Sequence, residues 1–183
     1  MNNGKIKILA ISGSLRPGSS NNMIIKIVAD MAPEDVEIEI YNGLSSIPAF
    51  DDVDNKPVDD LRRRIREADG VFICTPEYAF GVPGALKNAL DWTVSSGDFD
   101  KKPVALVTAS SVGDKGHAAL LHTLTALSAD VIPEATLLVS FIRAKLNAQG
   151  VITDTATAQA LRSVVDNFIA HVKDPTRIER LNN

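Results

Sequence analysis

The sequence has few of the residues that mark several large classes of protein. One cysteine, Cys74, among 183 residues excludes an internal disulfide and a Cys-x-x-Cys redox pair. No apolar run approaches the roughly 20 residues of a membrane-spanning helix, so we expect no membrane association. Lysine and arginine number 19 against 23 aspartate and glutamate residues, with no basic cluster, which argues against nucleic acid as a partner.

Other features are ordinary for a globular protein. The chain carries 45% hydrophobic and 23% charged residues and a net charge of −4. Its length suits a single domain over residues 1–183, which can bury about 70% of the unfolded surface. The first residues lack the apolar region of a signal peptide, which together with the lone cysteine predicts a cytoplasmic location.

Strand and helix patterns alternate along the chain. Apolar strand-like segments lie near residues 5–11, 36–41, 70–74, 103–108 and 135–139. Segments with helical spacing lie near residues 20–31, 57–68, 82–94, 117–128 and 155–172. This alternation predicts an α/β fold with a five-stranded parallel sheet and helices on both faces.

The strand patterns also predict the strand order. In the second strand Val36, Ile38 and Ile40 alternate with polar residues, as at a sheet edge, whereas segments 70–74 and 103–108 are continuously apolar. The order 2-1-3-4-5 accommodates both patterns. In such a sheet, ligands bind beyond the carboxyl ends of the strands, near the switch between strands one and three.

The loop after the first strand has the composition of a phosphate site. Residues 12–22 contain four serines, two glycines, two asparagines and Arg16, and a helix follows. The dinucleotide pattern G-x-G-x-x-G is absent, and Gly13 and Gly18 are not followed by the lysine of nucleoside-triphosphate loops. A single terminal phosphate, as on FMN, fits this loop; the alternative is a turn that merely caps the helix.

Two further polar, glycine-containing loops follow strands three and four, at residues 75–84 and 109–116. Because the carboxyl ends of parallel strands meet at one edge of a sheet, the three loops are expected to lie together. Their coincidence favours a ligand site over a helix cap.

Two motifs resemble those of the NAD(P)H-dependent FMN reductase family, which includes quinone, chromate and azo-dye reductases of flavodoxin-like fold. The first is Ser12-Gly13-Ser14-Leu15-Arg16 with Ser19 and Asn21. The second joins Pro76-Glu77-Tyr78 to the stretch Val82–Trp92. The resemblance implies a flavodoxin-like three-layer sandwich.

The resemblance also implies residue roles. The loop that holds the FMN phosphate is matched by Ser12, Ser14, Arg16, Ser19 and Asn21. The loop along the isoalloxazine edge is matched by Pro76, Glu77, Tyr78 and Ala79. The third flavin loop is matched by Ser110, Ser111 and Gly113. Many members carry Asn-Tyr-Ser where this chain has Ala79-Phe80-Gly81, so here that loop is expected to act through its backbone.

The activity implied is reduction of bound FMN by NADPH or NADH, followed by reduction of a quinone, dye, metal oxyanion or free flavin in ping-pong fashion. No catalytic side chain is expected, because FMN carries the hydride chemistry. No cluster of histidine, cysteine and carboxylate residues indicates a metal. A homodimer or homotetramer is implied by the resemblance alone.

Two other functions share this strand order. A flavodoxin-type electron carrier is usually strongly acidic with aromatic residues beside the flavin, whereas here the charge is mild and aromatics make up 5%. A phosphoryl-receiver domain needs an acidic pair after strand one, where this chain has Ser12-Gly13.

The titratable residues give weaker signals. We expect His122 and His171 to be surface residues. His117 follows the third loop, which makes it a lesser candidate for the site. Cys74 and Trp92 read as packing residues.

Overall fold

The computed structural model describes residues 4–53 and 55–177, and its centre is a five-stranded parallel sheet. The strands are β1 (Ile6–Ser12), β2 (Val36–Tyr41), β3 (Gly70–Thr75), β4 (Pro103–Ala109) and β5 (Asp130–Val139). Their order is β2-β1-β3-β4-β5, as the burial patterns predicted. Strands β3 and β4 are buried along their whole length, and β2 lies at the edge with alternate residues exposed.

Helices cover both faces of the sheet. They are α1 (Ser20–Met31), α2 (Lys56–Glu67), α3 (Gly84–Asp91), α4 (Asp114–Ala126) and α5 (Thr155–Lys173). Helices α1 and α5 bury their apolar sides against one face, and α2, α3 and α4 bury theirs against the other. Each fully buried leucine, isoleucine or phenylalanine stabilises the fold by about 1.5–3 kcal/mol. The predicted three-layer α/β sandwich is therefore confirmed.

Some predicted boundaries were wrong. Strand β5 begins at Asp130 rather than at residue 135, because a register shift opposite Val104 and Leu106 lets the chain carry Pro133 without breaking the strand. Helix α4 begins at Asp114, three residues before the predicted start. Helix α3 is shorter than predicted, since Pro83 precedes it and a turn beginning at Trp92 ends it.

The register of the sheet places the three polar loops together. Ser12 at the end of β1 is level with Cys74 in β3, and Thr75 is level with Thr108 in β4. The loops that follow these strands therefore leave from the same edge. Within the part of the chain that the structure describes, no helix is both long and apolar enough to cross a membrane.

Candidate active site

A cavity of about 820 Å³ lies at this carboxyl edge. Its wall includes nine of the residues that the sequence singled out: Ser14, Arg16, Ser19, Asn21, Pro76, Glu77, Tyr78, Ser110 and Ser111. Ser12, Ala79 and Gly113 lie outside the wall. The cavity thus brings the three loops together, but three of the predicted residues contribute to loop structure rather than to its surface.

The first loop forms a cradle at the start of α1. Ser19 is the N-cap of this helix, and its Oγ accepts hydrogen bonds from the backbone N–H groups of Asn21 and Asn22 at 3.1 and 3.4 Å. The Arg16 side chain is exposed beside it, and among the described residues it forms no ion pair or side-chain hydrogen bond. A helix N-terminus and a free guanidinium group together favour an anion here.

The hydroxyl groups of Ser12 and Ser14 are used largely within the loop. Ser12 Oγ lies 3.4 Å from the Ser14 carbonyl oxygen and 3.3 Å from the Ser14 nitrogen. Ser14 is 5% exposed; its Oγ accepts the Arg16 N–H at 3.3 Å and lies 3.3 Å from the Tyr78 hydroxyl. Ser12 therefore shapes the loop, and Ser14 connects the cradle to the second loop.

Gly13 allows the first loop to approach β3. Its N–H donates to the Cys74 carbonyl oxygen at 2.8 Å. A Cβ at this position would lie 2.1 Å from Thr75 Oγ1 and 3.0 Å from Leu86 Cδ2. Only glycine fits this contact without movement of its neighbours.

Asn21 is buried and joins the start of α1 to strands β3 and β4. Its Nδ2 donates to the Ala109 carbonyl oxygen at 3.2 Å, and its Oδ1 accepts from Cys74 Sγ at 3.2 Å. Asn21 is 4% exposed and Cys74 is fully buried. The side-chain amide of Asn21 is thus hydrogen-bonded to β3 and β4 and is not free to contact a ligand.

The second loop is fixed against the third by Glu77. Its backbone N–H donates to Ser110 Oγ at 3.3 Å, and its carboxylate Oε2 accepts the Gly116 N–H at 2.6 Å. A Cβ on Gly116 would lie 3.0 Å from the Glu77 side chain. The carboxylate therefore stabilises the N-terminus of α4 and fixes the loop next to the cavity.

Ala79-Phe80-Gly81, the segment that replaces the more usual Asn-Tyr-Ser, lies in a tight reverse turn. The Tyr78 and Gly81 backbones exchange hydrogen bonds of 3.1 and 2.9 Å, and Ala79 and Phe80 between them have φ values of 48° and 59°. This left-handed pair is normally occupied by glycine, asparagine or aspartate. The turn leaves the Phe80 side chain 79% exposed.

A fourth wall, residues 141–148 between β5 and α5, was missed by the sequence analysis. Phe141, Arg143 and Asn147 are among its cavity-lining residues. The segment lacks the serine and glycine content of the other three loops, so its composition does not indicate a site. Its one signal was a basic, aromatic stretch directly after a strand of the same sheet.

The other titratable residues that the sequence singled out, His117, His171 and Cys74, do not line the cavity. His117 Nδ1 lies 2.9 Å from Thr108 Oγ1 outside the cavity wall, and burial lowers the pKa of the imidazole. His171 lies 2.7 Å from Asp130, a partner that the sequence did not reveal. Burial raises the pKa of the Cys74 thiol. Among residues 4–53 and 55–177, no group of three metal-ligating side chains could hold an ion.

The donor set of the cavity fits FMN. A single phosphate suits the cradle, with its exposed guanidinium group, its hydroxyls and the α1 N-terminus. The rest of the wall offers mainly backbone and hydroxyl groups, together with the Arg143 guanidinium and the Glu77 carboxylate, which accepts the Gly116 N–H. Such groups match the polar edge of a flavin ring.

Comparison with known proteins gives the same result. Residues 6–144 match the model of the NADPH-dependent FMN reductase family. A quinone reductase of Escherichia coli is 35% identical over 185 residues, covering 92% of this chain and 98% of that protein. An NADH-dependent flavin reductase subunit of Lactobacillus johnsonii is 30% identical, with 92% and 98% of the two chains covered.

A solved structure also aligns over nearly the whole chain. The flavoenzyme NAD(P)H:(acceptor) oxidoreductase FerB from Paracoccus denitrificans superposes with a TM-score of 0.82 at 25% identity, covering 92% of this chain and 97% of that one. These matches confirm the predicted flavodoxin-like fold, the enzyme class, and FMN with NAD(P)H as cofactor and co-substrate. The chain therefore belongs to the NADPH-dependent FMN reductase family.

Proposed function

We propose that this chain is an NAD(P)H:quinone oxidoreductase with FMN bound in the cavity at the carboxyl edge of the sheet. The observation that supports it best is the convergence of three loops on one cavity, where the α1 N-terminus lies beside the free Arg16 guanidinium. FMN supplies the hydride chemistry when bound. The protein then has only to bind and orient the flavin and its substrates and to exclude water.

The cradle would hold the FMN phosphate. Arg16 would supply a charge-assisted hydrogen bond, and Ser14 and Ser19 would add hydroxyl contacts. Ser12 and Asn21 would support the cradle without side-chain contact to the phosphate. The Ser12 side chain is hydrogen-bonded within the loop, and that of Asn21 is hydrogen-bonded to the neighbouring strands.

The second and third loops would hold the flavin ring. Pro76 is buried and Glu77 is fixed at both its N–H and its carboxylate, so this stretch offers a rigid edge. Ser110 and Ser111 line the opposite part of the wall. A rigid edge of this kind is needed to keep a hydride donor within about 3–3.5 Å of the accepting atom.

A flat aromatic acceptor suits this cavity better than a metal oxyanion. Tyr78 lines the wall and is 41% exposed, which provides an aromatic face for stacking. The Escherichia coli relative is a quinone reductase. Free flavin is the second candidate acceptor, favoured by the name of the Lactobacillus relative.

The nicotinamide and the acceptor would use the same access to the ring in turn. Two flat molecules cannot stack on one face together, so the oxidised nucleotide leaves before the acceptor enters. We therefore expect ping-pong kinetics, with parallel double-reciprocal lines when NADPH is varied at several quinone concentrations.

We also propose a cytoplasmic homodimer or homotetramer. Phe50 and Val94 are exposed near the buried Trp92, and the Phe50 ring lies edge-on to Trp92 at 5.0 Å. An apolar surface of this sort suits contact with a second copy. Light scattering that finds only a 19.6 kDa species would contradict the assembly.

Turnover of the FMN-loaded protein tests the proposed function. NADPH and NADH should each be tried with a benzoquinone, an azo dye, chromate and free riboflavin as acceptors. We expect the benzoquinone to give the highest kcat/KM. Equal or higher values for riboflavin would favour a flavin reductase. Absence of NAD(P)H oxidation with every acceptor would favour the alternative function, a flavodoxin-type electron carrier.

A further inference from the structure

The fourth wall of the cavity carries an exposed arginine and an exposed aromatic ring at fixed positions. We call Phe141–Arg143 the rim. Phe141 N–H donates to the Ser111 carbonyl oxygen at 3.1 Å, and Ile142 N–H donates to that of Ser110 at 3.2 Å. Ile142 is buried in the core, whereas Phe141 is 66% exposed and Arg143 is exposed. The backbone of the rim is thus hydrogen-bonded to the third loop, and the side chains of Phe141 and Arg143 are exposed.

The Arg143 guanidinium has no anionic partner within the described part of the chain. No described side chain forms an ion pair or hydrogen bond with it, although it lines the cavity. Its neighbour Lys145 is held instead, 3.1 Å from Thr157 Oγ1 and 3.9 Å from Asp154. A free guanidinium next to an occupied lysine marks Arg143 as the cation available to a ligand.

The cavity therefore presents two free guanidinium groups, Arg16 in the cradle and Arg143 on the rim. Glu77 also lines the cavity, but its carboxylate already accepts the Gly116 N–H. FMN carries one phosphate, and the cradle at the α1 N-terminus has the donors for it. The second guanidinium points to a second phosphorylated ligand that enters the same cavity.

We propose that the rim binds the adenosine-phosphate part of NAD(P)H, with Arg143 on a phosphate and Phe141 stacked on the adenine. Arginine forms bidentate hydrogen bonds with phosphate, and an exposed phenylalanine ring gives a purine a stacking surface. The inference rests on the proposed function, because it assigns the nucleotide of that reaction to a part of the cavity.

The reductive half-reaction separates this role from others. FMN-loaded enzyme is mixed anaerobically with NADPH or NADH in a stopped-flow instrument, and the concentration dependence of flavin bleaching gives the nucleotide Kd. We expect Arg143→Gln to raise this Kd about 10- to 100-fold, the range for loss of a charged hydrogen bond. The same loss with both nucleotides would place Arg143 on the pyrophosphate, and a loss with NADPH alone would place it on the 2′-phosphate.

Competition with NADPH gives a second measurement. Adenosine 2′,5′-bisphosphate and AMP carry the phosphates without the nicotinamide, so they report the rim alone. At least one should inhibit the wild type competitively, and its inhibition constant should rise in Arg143→Gln. Phe141→Leu should weaken both inhibitors, because both contain adenine.

Arg162→Gln is the matched control. Arg162 lies on α5 and donates to the Met31 carbonyl oxygen at the far end of α1 from the cavity. Its Kd values for NADPH and FMN should equal those of the wild type.

Three outcomes would overturn the inference. They are an unchanged nucleotide Kd in Arg143→Gln, a Kd increase for FMN in place of NADPH, and a fall in kcat/KM for the quinone alone. If the wild-type flavin is not reduced by either nucleotide, the proposed function itself is wrong. Reduction of the wild type with no effect of Arg143→Gln contradicts only the rim.

Discussion

The cradle and the rim present similar guanidinium groups to one cavity, but they are built in different ways. The cradle takes its local shape from contacts between near neighbours, such as the Ser19 cap on Asn21 and the Ser14 oxygen on the Arg16 N–H, and is anchored to the neighbouring strands by Gly13 and Asn21. The rim is held by backbone bonds to Ser110 and Ser111, about 30 residues away in the sequence. Its own side chains contribute little to its position, apart from buried Ile142.

This difference predicts how each region fails. The cradle depends on its contact with β3, because Gly13 and Asn21 join it to Thr75 and Cys74. The rim depends on the third loop, so substitutions that affect only the cradle should leave nucleotide binding unchanged. Substitutions that separate these two effects test the comparison.

Gly13→Ala should have the largest effect. The added Cβ would lie 2.1 Å from Thr75 Oγ1, and Thr75 is a stiff, buried residue. We expect a loss of about 1–3 kcal/mol in the free energy of unfolding, with greatly weakened FMN binding. Urea unfolding and FMN titration measure the two.

Gly84→Ala is the control, since a Cβ there meets nothing within 4 Å. It should change the free energy of unfolding by less than about 0.5 kcal/mol. Normal stability and FMN affinity in Gly13→Ala would show that the cradle does not need its close approach to β3.

Asn21→Ala should have the next largest effect. It removes the hydrogen-bond donor for the buried Ala109 carbonyl oxygen and the acceptor for the Cys74 thiol. We expect the free energy of unfolding to fall by about 1–3 kcal/mol, as for a buried polar group left without a partner. Chemical unfolding of the protein without FMN isolates this loss from ligand binding.

Asn22→Ala is the matched control for that substitution. The Asn22 side chain forms no hydrogen bond with any described residue, so its removal should cost little. Equal losses in the two variants would mean that the Asn21 amide does not hold the loops together.

His117 should give the smallest effect, seen as a pH dependence. Burial lowers its pKa from the ordinary 6.5, so the folded protein resists its protonation while the unfolded chain does not. The stabilisation is present above pH 6.5 and is lost as the pH falls below it. His117→Asn should therefore lose less stability than the wild type between pH 7 and pH 5.

His122→Asn, at an exposed histidine of the same helix, is the matched control for the substitution itself. A His117→Asn profile parallel to the wild type would show that the imidazole does not contribute to acid sensitivity.

The difference between cradle and rim also explains what the sequence could predict. The strand order followed from burial patterns in β2, β3 and β4, because the apolar residues of a strand mark its buried positions. The cradle was recognisable because serine, glycine and arginine at short spacing before a helix are typical of a phosphate site. The rim was missed because its position depends on backbone bonds to another loop, which leave no residue pattern.

Individual roles in the cradle were harder to predict than its location. Ser12 and Asn21 have the right residue types for phosphate contact, yet their side chains bond to the loop and to β3 and β4. The direction of a side chain in a loop depends on tertiary contacts that spacing does not reveal. The Ala79–Phe80 turn likewise adopts a left-handed conformation that its residue types disfavour.

The central claim, that the cradle binds the FMN phosphate, is tested most directly by titrating the FMN-free protein with FMN and with riboflavin. Riboflavin has the same ring and side chain without the phosphate. Arg16→Ala should weaken FMN binding about 10- to 100-fold, as expected for a charged hydrogen bond, and leave riboflavin binding unchanged. Equal losses for the two ligands, or no loss for FMN, would contradict the assignment of the phosphate to the cradle.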